Sequence, residues 1–272
     1  MNCIGPCAPA VLATLAVWSG TAAPPVGAAI PRQPARLAAR IEATERGLAG
    51  AVDRWRASAK PRPSLGVTLY ALYEQRISIE LTARPRLASA VFRRLPPRYA
   101  GGIRSEVLAK RELGRLSRPR PLSAFKTGPA EPAATLEHHY LEAQGRFHVG
   151  WHVLAAVNYL ESAFNKLRNA STAGAQGPMQ FIPSTWRAYG LGGNVHDPHD
   201  AILGAANYLR ANGAPRNYRR ALFHYNPSSS YVDAVLRYAR RIRDDPRAFR
   251  VFYSRQVFVR TPHGLVRLTG PR

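Results

Sequence analysis

The sequence predicts a mainly α protein that closes on a small C-terminal β-hairpin, and three observations carry that prediction. Apolar residues recur at spacings of three, four and seven through most of the chain, the periodicity of helices with one buried face. Prolines and glycines punctuate these runs where helices should stop. Only the last stretch, "RQVFVRTPHGLVRLTG", alternates with period two around "TPHG", as a hairpin does. With 272 residues and 46% apolar content the chain can bury an ordinary core, and no repeat of solenoid period is visible.

The elements follow in order. Cys3 and Cys7 precede the apolar run "APAVLATLAVWSG", and small residues with Ala-x-Ala spacing come after it. That layout predicts a signal peptide or N-terminal anchor over residues 1–30, hence an exported protein of the cell wall or periplasm, free of cysteine if the signal is removed. Residues 31–116 form an N-terminal helical region. Leu37, Ile41, Leu48, Val52 and Trp55 define its first helix, "KPRPS" ends it, a second segment runs from Leu65 to Val91 with a break near Pro85, and a third spans about Ala100 to Leu116. The Pro- and Gly-rich residues 117–134 read as a linker. Helical patterns resume over residues 135–245, with Pro183 or Ser184 opening one helix and Asp197 or Asp200 capping the next, and residues 246–272 form a basic hairpin.

Thirty-nine Lys plus Arg against sixteen Asp plus Glu leave a net charge of +23, which suggests anionic partners: nucleic acid, a membrane surface or anionic wall polymers. Several chemistries lack support. No P-loop, dinucleotide fingerprint or G-x-S-x-G elbow is present, so neither nucleotide nor serine-nucleophile chemistry is indicated, and no cofactor is expected. The histidine clusters His138 with His139 and His196 with His199 do not offer paired imidazoles four apart with a third ligand, so no metal site is predicted. What remains is Glu161, which ends the apolar helical run "WHVLAAVNYL". Such a carboxyl either lies on a solvated helix edge or, poorly hydrated, has its pKa raised into the range of a general acid.

The flanking residues bear on that choice. "ESAF", "STAGAQGPMQFIPSTW", "HDAILGAANYL" and "ALFHYNPSSSYVDAVLRYARRI" resemble, in order and spacing, the soluble lytic transglycosylase family, whose lysozyme-like helical catalytic domain is related to goose-type lysozyme. The resemblance covers about residues 145–242. It implies that Glu161 is the catalytic acid and that Ser162, Gly177, Met179, Gln180, Tyr225 and Asn226 contribute to substrate binding. Pro178 and "YNPS" depart from the usual family residues in loops.

The implied activity is that of a lytic murein transglycosylase acting on peptidoglycan glycan strands. Glu161 protonates the oxygen between N-acetylmuramic acid and N-acetylglucosamine, then takes the proton of the muramic C6 hydroxyl as a 1,6-anhydro ring closes. Asp197 and Asp200 read as caps and Asp233 lies on a later helix, so none is placed as a second catalytic carboxylate. Two alternatives stand beside this reading: a hydrolytic muramidase, and a non-catalytic basic module binding cell wall, with nucleic acid the disfavoured partner.

Overall fold

The computed structural model describes residues 22–116 and 118–271, so most of the expected export signal lies outside the described residues. Residues 22–29 run against the second helix of the chain, where Tyr70 donates to the Ala22 carbonyl, Tyr73 to that of Ala29 and Arg76 to that of Val26.

Eleven α-helices and one two-stranded sheet make up the regular structure among the described residues, the mainly α architecture with a terminal hairpin that the sequence predicts. In the N-terminal region α1 spans Pro34–Ala57, α2 Leu65–Ala83, α3 Pro85–Phe92 and α4 Pro97–Gly114. Three of these four begin on a proline, whose missing amide costs nothing in a first turn. The fourth, α2, starts behind Ser64, whose Oγ accepts from the Val67 amide.

After an extended crossing with one short 3₁₀ turn come α5 (Ala133–Phe147), α6 (Trp151–Ser162), α7 (Pro183–Tyr189), α8 (Pro198–Ala211), α9 (Tyr218–Tyr225) and α10 (Ser229–Asp244). The periodic run from Ala133 to Phe164 divides in two because His148 takes a left-handed conformation (φ 58°) that closes α5, while Gly150 opens α6. Of the two aspartates considered as caps, Asp197 performs that role, its Oδ1 accepting from the Asp200 amide. Asp200 instead turns back to accept from the Asn194 amide.

The C-terminal segment departs from expectation. Residues 248–254 form a further helix, α11 (Ala248–Ser254), and the hairpin is confined to β1 (Phe258–Thr261) and β2 (Gly264–Arg267), paired antiparallel across Pro262 and His263. Arg255 and Gln256, which the alternating pattern would place in the strand, are buried behind α11. There Gln256 exchanges hydrogen bonds with Gln75, and Arg255 enters an ion network. Side-chain partners available only in the folded state override local alternation at these two positions.

α10 is the central strut. One face packs on α4 from the N-terminal region and another on α6. Its buried stripe of Tyr231, Val235, Tyr238 and Ile242, at spacings of three and four, places a phenol beside the end of α6.

Candidate active site

Glu161 occupies the last turn of α6, one residue before its end. The helix stops because Ala163, Phe164 and Asn165 all adopt positive φ (50°, 62° and 65°). A left-handed conformation costs a non-glycine residue about 1–2 kcal/mol. Here it is held by the burial of Phe164, by the Asn165 amide donating to Ser162 Oγ at 2.9 Å, and by the Leu167 amide donating to the Ser162 carbonyl. The reversal leaves Glu161 at the rim of the helix rather than along its side.

Its carboxyl is half-buried, and its one hydrogen-bond partner among the described residues is Tyr231, whose hydroxyl donates to Oε1 at 2.6 Å. Burial raises its pKa from an ordinary 4.5 to about 7, and the Tyr231 hydrogen bond pulls the other way. Tyr231 and Tyr225 are both held well above the ordinary phenol value, first by burial and then by the neighbouring Glu161 charge, so both remain proton donors. A carboxyl that keeps a substantial protonated fraction near neutral pH, with a phenol ready to receive its negative form, can give a proton and later take one back.

The loop beside it is fixed from α6. Asn158 and Ser162, four residues apart on one helix face, both donate to the Pro178 carbonyl, at 3.3 and 2.6 Å, and Asn158 also reaches Met179 Sδ at 3.0 Å. The loop closes on itself where the Gln176 and Phe181 amides exchange bonds with each other's carbonyls. Gly177 is required inside it: its φ is +76°, and a Cβ would stand 1.9 Å from the Val195 carbonyl oxygen.

The expected site residues therefore gather around the end of α6, in different capacities. Ser162 and Met179 are buried, with their polar atoms spent on the loop. Buried hydroxyls and thioethers of this kind hold backbone in place. Tyr225 donates not to the acid but to the Met179 carbonyl at 2.5 Å, tying α9 to the loop, and Asn226 ends α9 half-exposed. Gln180, also half-exposed, has φ 51° and donates through Nε2 to the Gly177 carbonyl at 3.0 Å, leaving its side-chain oxygen available. Tyr231, absent from the expected set, is the residue that touches Glu161. The signal lay in its place at the head of the apolar stripe of α10.

The aspartates of this half are committed elsewhere. Asp233 pairs with Arg219 at 2.7 Å, Asp197 caps α8, and Asp200 binds the Asn194 amide.

The family model of the Transglycosylase SLT domain matches residues 139–245, a span that includes every residue of this site. This segment is thus similar to the SLT domain of transglycosylases. The chain is also 27% identical over 202 residues to membrane-bound lytic murein transglycosylase F of Thiobacillus denitrificans, covering 69% of this chain and 42% of that protein. It is 28% identical over 159 residues to membrane-bound lytic murein transglycosylase F 1 of Alkalilimnicola ehrlichii, covering 53% of this chain and 32% of that one. It thus spans less than half the length of the curated relatives it matches. No solved structure matches the chain. The SLT segment starts within α5 and stops just after α10, so α1 to α4, α11 and the hairpin fall outside it.

Proposed function

We propose that the protein is a lytic murein transglycosylase that cleaves peptidoglycan between N-acetylmuramic acid and N-acetylglucosamine and leaves 1,6-anhydro ends. The observation that carries this reading is Glu161, a half-buried carboxyl inside an SLT segment, raised to about 7 and in contact with a phenol. It is a proton donor near neutral pH. Protonation of the glycosidic oxygen creates an oxocarbenium-like centre, and the newly formed carboxylate, stabilised by Tyr231, then removes the proton of the muramic C6 hydroxyl. The attacking oxygen belongs to the same sugar, so the second step gains the advantage of an intramolecular reaction. The absence of a free partner among Asp197, Asp200 and Asp233 favours this route over one needing a second carboxylate.

Gln180 and Asn226 present half-exposed amides to the sugar chain, while Ser162, Met179 and Gly177 hold the loop that aligns it. The names of the two relatives and the apolar N-terminal run together favour an exported protein acting at the membrane or wall. Among the described residues no helix is long and apolar enough to cross a membrane.

Digestion of purified sacculi followed by mass spectrometry of the released muropeptides tests the reading. The expected products lack the added water of hydrolysis. Glu161→Gln is expected to reduce release by more than about 10²-fold, as loss of a general acid does, while sacculus binding persists. Products carrying a reducing end identify a muramidase instead, and unchanged release by Glu161→Gln removes the acid from its assigned role.

A further inference from the structure

A second cluster of chemistry-bearing side chains lies away from Glu161, where α5 packs along α8. His139 and Glu142 sit one turn apart on α5, and His199 projects from the first turn of α8. One ligand atom from each lies within 4.8 Å of the others. The imidazole rings of His139 and His199 meet edge to face at 4.9 Å, and His199 Nε2 lies 3.0 Å from Glu142 Oε2.

Each imidazole also has a carboxylate on another side. His139 Nε2 is 3.3 Å from Glu131 Oε2, and His199 Nδ1 is 3.5 Å from Asp200 Oδ1. His139 Nδ1 is buried and has no hydrogen-bond partner among the described residues. An orphaned nitrogen on a ring packed against a second imidazole is costly unless something accepts or coordinates it. Two imidazoles and one carboxylate, each imidazole backed by an outer carboxylate that can fix its tautomer, form the donor set and the supporting shell of a zinc site.

We propose that His139, Glu142 and His199 bind one divalent cation of the zinc class, clamping α5 to α8. His139 coordinates through Nδ1 while its Nε2 hydrogen faces Glu131. His199 coordinates through Nε2 while its Nδ1 hydrogen faces Asp200. A tetrahedral zinc with bonds of about 2.0–2.1 Å spaces its donors about 3.3 Å apart, so side-chain rotation must draw the group together by up to about 1.5 Å. Burial keeps His139 neutral and therefore able to ligate, while Glu142 and Asp200 together outweigh burial at His199 and favour its charged form. Binding is expected to displace that proton. Spacing along the chain could not reveal this site, because its two imidazoles come from different helices.

The test uses the full-length protein stripped with chelator and titrated with zinc chloride at pH 7.5 by calorimetry, with cobalt(II) as a spectroscopic substitute. One equivalent of zinc is expected to bind, with intense visible cobalt bands and a rise of about 5 °C in Tm at a hundredfold excess over Kd. His139→Ala and His199→Ala should each weaken binding about tenfold or more, with helicity unchanged by circular dichroism, whereas exposed His196→Ala should leave it intact. Failure to take up zinc overturns the proposal. So does equal affinity in His199→Ala, whose half-exposed side chain can be removed without emptying the core, or an equal loss in His196→Ala.

Discussion

Two carboxyl sites in this molecule, both lined by α10, have their pKa values pushed in opposite directions. At the end of α6, Glu161 has a phenol for a partner and a value raised to about 7. Where α2, α4, α10 and α11 meet, Glu106 is fully buried, and burial again pushes its value up. There Arg255, Lys110 and Arg241 outweigh that push and hold it at about 2. Arg255 is itself buried, donating to Glu74 and Glu106 at 2.8 Å each, with Tyr238 also donating to Glu106. Dehydration is common to both sites. The cation decides whether a dehydrated carboxyl becomes a proton donor or a permanent anion. Glu45, at the edge of the network, shows that proximity is insufficient: it pairs directly with no cation among the described residues, burial and the Glu74 charge dominate, and it too rises to about 7.

The largest expected effect comes from breaking the cationic side of this comparison. Arg255→Met leaves Glu74 and Glu106 buried without their principal counter-charge, and chemical denaturation at pH 7 should show a loss of about 3–5 kcal/mol. Its pH dependence sharpens the point. The folded value of Glu106 lies below its ordinary 4.5, so the stability it contributes is complete above about pH 4.5 and lost as pH falls toward about 2. The variant should lose that acid-limb dependence.

Next in size is Tyr231→Phe, which removes the hydrogen bond that favours ionised Glu161. A hydrogen bond to a charged group contributes about 1.5–3 kcal/mol, so the alkaline limb of kcat/KM should move up by about one pH unit or more, with kcat lowered about tenfold. A limb that stays in place would show that Tyr231 does not tune the acid.

Ser162→Ala deletes the hydroxyl that serves both the Pro178 carbonyl and the Asn165 amide, and should cost about 1–2 kcal/mol by urea denaturation. The smallest effect is a gain. The folded value of Glu161 lies above its ordinary 4.5, so its ionisation destabilises the fold as pH rises from about 4.5 to about 7. Glu161→Gln should therefore melt about 2–4 °C higher than the parent at pH 8 and no higher at pH 4, a difference calorimetry resolves.

The sequence made most of the helices legible because they follow their own periodicity and stop residues: Pro85 parts α2 from α3, and Asp197 opens α8. Glu161 was legible because an acid at the end of so apolar a run is chemically conspicuous. Residues whose roles depend on a distant partner were not. Tyr231 becomes a ligand of the acid only when α10 lies against α6, and Arg255 looks like any other arginine until Glu74 and Glu106 arrive from two earlier helices. The short α11, crowded by arginines, carried no clean period to distinguish it from the alternating stretch that follows.

The anions that neutralise Arg241 and Arg255 have a further consequence. Glu74 and Glu106 come from helices outside the span 139–245, while Arg241 lies inside it. A protein excised at those limits would strip α10 of its cover over Tyr238 and leave Arg241 without the carboxylate it meets at 3.2 Å. Glu74 of α2 and Glu106 of α4 thus bring to α10 and α11 a counter-charge from helices that precede the matched span.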